Sequence, residues 1–234
     1  MELFTTEGFL FLMRWFHFLA GITWIGVLYY FNFIQTPFFA TADPAVRSGM
    51  IRGLVPNALW WFRWGAMFTF LTGWIMVLTK LHVGGISGQE HYLTLILTGG
   101  AMGTLMWANV WFVIWPAQKI VIASAEQVAA GGEAIPEAAA RGQRAGLASR
   151  TNTLFSIPML FFMGSASHLQ GGRSINPDFW LYWLVALILI LLVELNALIG
   201  PGLATQKPLS SVSGVIHAGV WLTVVLFLLS SILL

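Results

Sequence analysis

Cysteine is absent from the 234 residues. That excludes disulfides, thiolate metal sites, iron–sulfur clusters and covalent haem c, which needs C-x-x-C-H. Charge is nearly as scarce. Asp, Glu, Lys and Arg make up 9% of the chain, where a soluble domain carries about a quarter. Such a chain has too few charges to cover its own surface in water. Disorder is excluded too, because disordered segments are poor in apolar residues and this chain is 58% hydrophobic. The formal net charge is only +2, so no basic footprint for nucleic acid exists. H-E-x-x-H, a Walker loop, G-x-S-x-G and the dinucleotide fingerprint are all missing. Hydrolysis, phosphoryl transfer and nicotinamide chemistry therefore have no support.

What the chain has is long apolar runs, with a mean hydropathy of +0.80. A helix rises about 1.5 Å per residue, so a membrane span needs roughly 20 mostly apolar residues. Six segments qualify: about 8–35, 57–79, 92–116, 148–169, 178–200 and 212–234. They are too long and continuous for barrel strands. The predicted fold is all-α, a polytopic helical bundle of about six transmembrane helices, with 1–234 as a single transmembrane domain. The first run is too long for a signal-peptide core, and no small-x-small cleavage site follows it.

Six spans place both termini on one side, and Lys and Arg decide which. Arg47, Arg52, Lys119, Arg141, Arg144 and Lys207 lie in the connections 36–56, 117–147 and 201–211, or at their margins, with Arg150 at the start of the fourth span. The opposite connections carry Lys80 and Arg173. The basic set is expected to face the cytoplasm, so both termini are periplasmic and 117–147 is a cytoplasmic loop. Its first half reads as an extension of the third helix, broken at Gly131 and Gly132. The predicted location is the bacterial inner membrane, multi-pass. Trp60, Trp61, Trp64, Trp111, Trp115, Trp180 and Trp183 cluster at span ends, as an aromatic belt does; a minority could instead line a planar cofactor.

Ionisable residues at membrane depth usually face the bundle interior and mark function. Here they are Arg14, His17, Arg63, Glu194 and His217. Arg14 and His17 are three apart and share a helix face, with His17 about 13 Å into the first span. Gly21 and Gly26 follow, and small residues admit close neighbours. A His with an Arg one turn away suits haem b, imidazole to iron and guanidinium to a propionate. A plain interhelical hydrogen bond by His17 is the alternative. His217, Arg63, Glu194, Asn109, Asn32 and Asn152 fall near one cytoplasmic-side level, so a polar interior cluster is expected, with Arg63 and Glu194 a candidate ion pair. Helix-to-helix hydrogen bonding explains the same residues without a site. His82, His91 and His168 lie toward the other face, where imidazoles could bind copper, zinc or a second haem; exposed interfacial histidines are the alternative, and His168 is the best candidate of the three.

Four stretches carry a family resemblance. They are RWFHFLAGITWIGVLYYFNFIQTPFF at Arg14–Phe39, WFRWGAMFTFLTGW at Trp61–Trp74, NVWFVIWPAQKIV at Asn109–Val121 and SRTNTLFSIPMLFFMGSASH at Ser149–His168. The chain resembles the membrane domain of the bacterial urate hydroxylase (urate oxidase N-terminal) family. That resemblance implies a membrane oxidoreductase, in which longer members carry a periplasmic C-terminal cytochrome c domain. This sequence stops at Leu234 without C-x-x-C-H, so it reads as a short form whose electron acceptor is a separate cytochrome c. The expected function is a redox protein of the electron-transport kind, binding haem b through His17, His217 or His168 with Arg14 and Arg63 as anion partners, and passing electrons to or from a separate cytochrome c or a quinone. His17 and His217 lie roughly 8–9 Å apart along the membrane normal, so a shared iron requires tilted helices. Two other readings stand beside it. One is a non-catalytic subunit of a larger respiratory or photosynthetic complex. The other is a transporter using Arg63, Glu194 and His217.

Overall fold

The computed structural model describes residues 2–83, 91–169 and 179–234; Arg173, one of the charges used for orientation, lies outside them. Among the described residues the chain is almost entirely helical, without a strand. The helices are α1 (Thr6–Thr41), α2 (Pro44–Gly53), α3 (Val55–Val83), α4 (His91–Ala129), α5 (Ala138–His168), α6 (Phe179–Leu198) and α7 (Val212–Leu233). Local chemistry sets several ends. Thr5 caps α1 by accepting from the Gly8 N–H at 3.1 Å, and Ser211 caps α7 through Gly214 at 3.0 Å; these side chains satisfy donors that a helix start leaves orphaned. Pro44 sits in the first turn of α2, where its missing N–H is harmless. Gly131 follows α4 with φ +88°, a conformation open to glycine.

Most of what reads as connection is helical. The segment 36–56 is the end of α1 plus α2, and α4 runs on to Ala129 as its sequence suggests, leaving only a short non-helical turn before α5. The apolar pattern marks where lipid begins, but a helix needs no apolar face to continue into water.

Proline also shapes the interior of two helices. Pro37 and Pro116 lack the N–H that would bond back four residues. Just before each, the chain relaxes into a π-helical turn, Tyr30–Gln35 in α1 and Asn109–Ile114 in α4. There the Thr36 N–H bonds to Phe31 O and the Trp115 N–H to Val110 O, five residues back. Such turns gather at functional sites, and each of these carries a buried Asn, Asn32 and Asn109.

Five helices, α1, α3, α4, α6 and α7, are long and apolar enough to cross a membrane by length and composition. The expected span 148–169 is the exception. It lies in α5, which buries Thr151, Asn152, Thr153, Ser156 and Ser165. α5 is packed by α4, α6, α7 and α1. A helix enclosed by others needs no lipid-compatible surface, so its polar composition follows from its central place. α1 packs chiefly on α3, and α2 rests on α3 and the extension of α4. Pro158 removes the donor to Leu154 O, and α7 approaches there through Gly219, where an added Cβ would stand 2.8 Å from that oxygen.

Candidate functional site

Three spans meet at a buried polar node. Asn109, in the π-helical turn of α4, donates through Nδ2 to Asn152 Oδ1 at 2.9 Å and to Glu194 Oε2 at 3.1 Å. Asn152 Nδ2 in turn donates to the Met106 carbonyl at 2.9 Å. The three side chains are 5% exposed or less. One turn toward the start of α5, Ser149 Oγ accepts from Asn32 Nδ2 at 2.8 Å, and Asn32 also donates to Leu28 O. Four of the residues expected at one level are therefore tied to a single face of α5. Glu194 brings a proton-carrying group to membrane depth, and the group that meets it there is a neutral amide.

The second feature is a seam between α1 and α3. His17 Nδ1 lies 3.1 Å from Thr72 Oγ1. The Thr72 hydroxyl has one proton, and it points to the Phe68 carbonyl at 2.6 Å. With that proton on a backbone carbonyl the oxygen accepts from His17, which assigns the imidazole proton to Nδ1 and the lone pair to Nε2. Gly73 makes room for the ring, since a Cβ there would stand 3.1 Å from His17 Cε1. Toward the mouth of the same seam lies a cavity of about 450 Å³ lined by Glu7, Leu10, Arg14, Thr79 and Lys80 among others. The Lys80 ammonium is held against Tyr92, 3.2 Å from its hydroxyl.

The other expected residues are not brought to either place. Arg63 does not pair with Glu194. Its guanidinium carbon lies 3.9 Å from the Trp115 ring centroid and 6.0 Å from that of Trp111. His217 is exposed, with Nδ1 2.7 Å from the carbonyl of Ser213 on its own helix. His168 is exposed as well, its Nδ1 3.0 Å from Gly164 O. Among the described residues no group of three or more His, Cys, Asp or Glu is placed to hold a metal ion.

These positions test the haem expectation. A two-histidine site between His17 and His217 does not fit, because His17 faces α3 while α7 packs on α5 and α6. At His17 one ring nitrogen is anchored by Thr72, which leaves the other for a ligand, the arrangement an iron-binding imidazole needs, and Arg14 one turn away suits an anionic substituent. The sequence missed Thr72, which orients His17, and Trp115 as the partner of Arg63. The only signal for the first is the pair Thr72-Gly73, a hydroxyl beside the one residue small enough to admit a ring.

The fold and the buried node define a polytopic helical membrane protein with an interior polar site. The urate oxidase N-terminal family model matches residues 83–226, and the chain belongs to that family. The match spans α4, α5, α6 and most of α7, so it includes Asn109, Asn152, Glu194 and His217; His17 and Arg63 precede it. No curated protein and no solved structure matches the chain.

Proposed function

We propose that the chain is an integral membrane redox protein of the urate-hydroxylase kind, which oxidises a small substrate and passes the electrons to a separate cytochrome c or a quinone. Membership of the family carries this reading, and the oriented imidazole of His17 supports it. A b-type haem, when bound, supplies a one-electron iron centre. His17 would hold it through Nε2, with Thr72 fixing the ring, and Arg14 and Lys80 would bind its carboxylates. Glu194 is suited to take or give a proton, held in place by Asn109. His217 and His168 have no part in this site.

The test is an absorption spectrum with a pyridine haemochrome assay on the purified chain. A Soret band and a reduced α-band are expected in the wild type, His217→Ala and His168→Ala, and neither in His17→Ala. Wild-type protein that shows no Soret band after expression and purification with excess haem would sink the proposal. If such protein instead co-purifies with redox partners in fixed stoichiometry, the non-catalytic subunit reading takes its place.

The topology we propose has six crossings, α5 included, with the basic residues of α2, the α4 extension and the start of α5 in the cytoplasm and both termini outside. The absence of cysteine makes single-cysteine labelling free of background. An impermeant thiol reagent applied to spheroplasts is expected to label Glu2→Cys and to spare Glu133→Cys; the reverse pattern inverts the topology.

A further inference from the structure

Two cations converge on one indole. Trp115 is the first residue after the π-helical turn of α4. Arg63 reaches it from α3 at 3.9 Å, and Lys119, one turn further along α4, has its ammonium 5.6 Å from the same ring centroid. The indole face attracts each of them, yet like charges at this range repel. Neither makes an ion pair among the described residues.

The same corner holds two buried donors with nothing to donate to, Arg63 Nε and Trp111 Nε1. Trp111 belongs to the π-helical turn itself and also faces the guanidinium, 6.0 Å away. Buried N–H groups in folded proteins nearly always find an acceptor. Two orphan donors beside two uncompensated cations share a single remedy, an acceptor that carries negative charge. Stacking on Trp115 covers the face of the guanidinium. Its edge carries Nε–H and Nη–H side by side, the fork that matches two oxygens of one oxyanion; because Nε is buried, the side chains over that edge must shift to admit the oxyanion.

We propose that Arg63, Lys119, Trp111 and Trp115 form a binding site for an oxyanion, presented by a small soluble carboxylate or by the phosphate of an anionic lipid. The site is separate from the His17 seam, since Arg63 lies about 14 Å along α3 from Thr72. The proposal does not rest on the redox reading, and its test needs no haem.

The test uses the full chain in nanodiscs. In discs of phosphatidylcholine, benzoate is titrated calorimetrically into wild type, Arg63→Gln, Arg63→Lys and Lys119→Gln. Expected is saturable binding by wild type, weakened at least tenfold by Arg63→Gln and about threefold by Arg63→Lys and Lys119→Gln. Lys119 is exposed, so its replacement reports on the site even if Arg63→Gln lowers helix content. In a second arm, discs containing phosphatidylglycerol are examined by native mass spectrometry. Retention of phosphatidylglycerol by wild type and its loss in Arg63→Gln and Lys119→Gln assigns the oxyanion to lipid. Benzoate binding and lipid retention that are both absent from wild type, or both unchanged by the two substitutions, overturn the proposal.

Discussion

The α1–α3 seam and the α4–α5–α6 interior both hold an ionisable group at membrane depth, and they hold it differently. Half of the apolar stretch of α4 is buried within the bundle, against 11% of that of α1. In the interior, Glu194 of α6 ends a chain of two amides drawn from α4 and α5, and every link is buried. In the seam, His17 has one side-chain partner, Thr72, and a cavity lined by Arg14 and Lys80 opens toward the seam's mouth. A group closed in by other helices is tied to its partners, whereas a group at an open seam keeps a nitrogen for something else. The interior therefore reads as a scaffold around one proton-carrying carboxyl, and the seam as the place where a ligand enters.

The contrast can be broken most directly at Asn152. Replacement by alanine removes the acceptor of Asn109 and leaves the Met106 carbonyl without its donor. Because unpaired buried groups cost about 1–3 kcal/mol, Asn152→Ala is expected to lower stability by about 2 kcal/mol in reversible SDS unfolding. A loss below about 0.5 kcal/mol would put the node on a par with the seam.

Gly219→Ala comes next. Its Cβ would meet Ile157 Cδ1 at 2.6 Å and Leu154 O at 2.8 Å, so α7 must back away from α5. Overpacking of this kind costs about 1–3 kcal/mol, and the same unfolding measurement checks it. A neutral result would mean that α7 docks more loosely on α5 than its close approach implies.

Glu194→Gln sharpens the comparison by separating structure from chemistry. The new amide oxygen still accepts from Asn109, so stability changes by less than about 1 kcal/mol. The electron transfer to cytochrome c proposed above, followed by stopped-flow absorbance, is expected to slow at least tenfold, because an amide cannot take up and release a proton as a carboxyl does. Unchanged rates would leave Glu194 with a packing role alone. The smallest effect on stability belongs to His17→Ala, at about 0.6 kcal/mol, the average for membrane side-chain hydrogen bonds. A loss above about 2 kcal/mol, beyond the largest such bond, would show the seam to hold its histidine as firmly as the interior holds its carboxyl.

Much of this molecule was legible from its residues. Asn32, Asn109, Asn152 and Glu194 were placed at one level by counting residues, and the structure joins them in two adjacent hydrogen-bonded groups on α5. The same counting put Arg63 beside Glu194, where the structure has Trp115. It also placed His217 in the interior, where the structure has it exposed and bonded to its own helix. Both errors have one origin. Counting along a helix yields depth, while successive residues turn by about 100°, so two groups at equal depth can face opposite ways. The π-helical turns worsen this, because an extra residue per turn re-aims every side chain that follows.

The amino-acid sequence alone determined that the chain is helical and apolar enough for a membrane, that these residues offer no cysteine ligand, and at what level along its helix each polar residue lies. Those are properties of amounts and of distance along the chain. Which of these residues meet was decided only by the tertiary structure, because direction around a helix axis takes its meaning from the neighbouring helix. That is why α5, the least lipid-like of the expected spans, is the one around which α4, α6 and α7 pack.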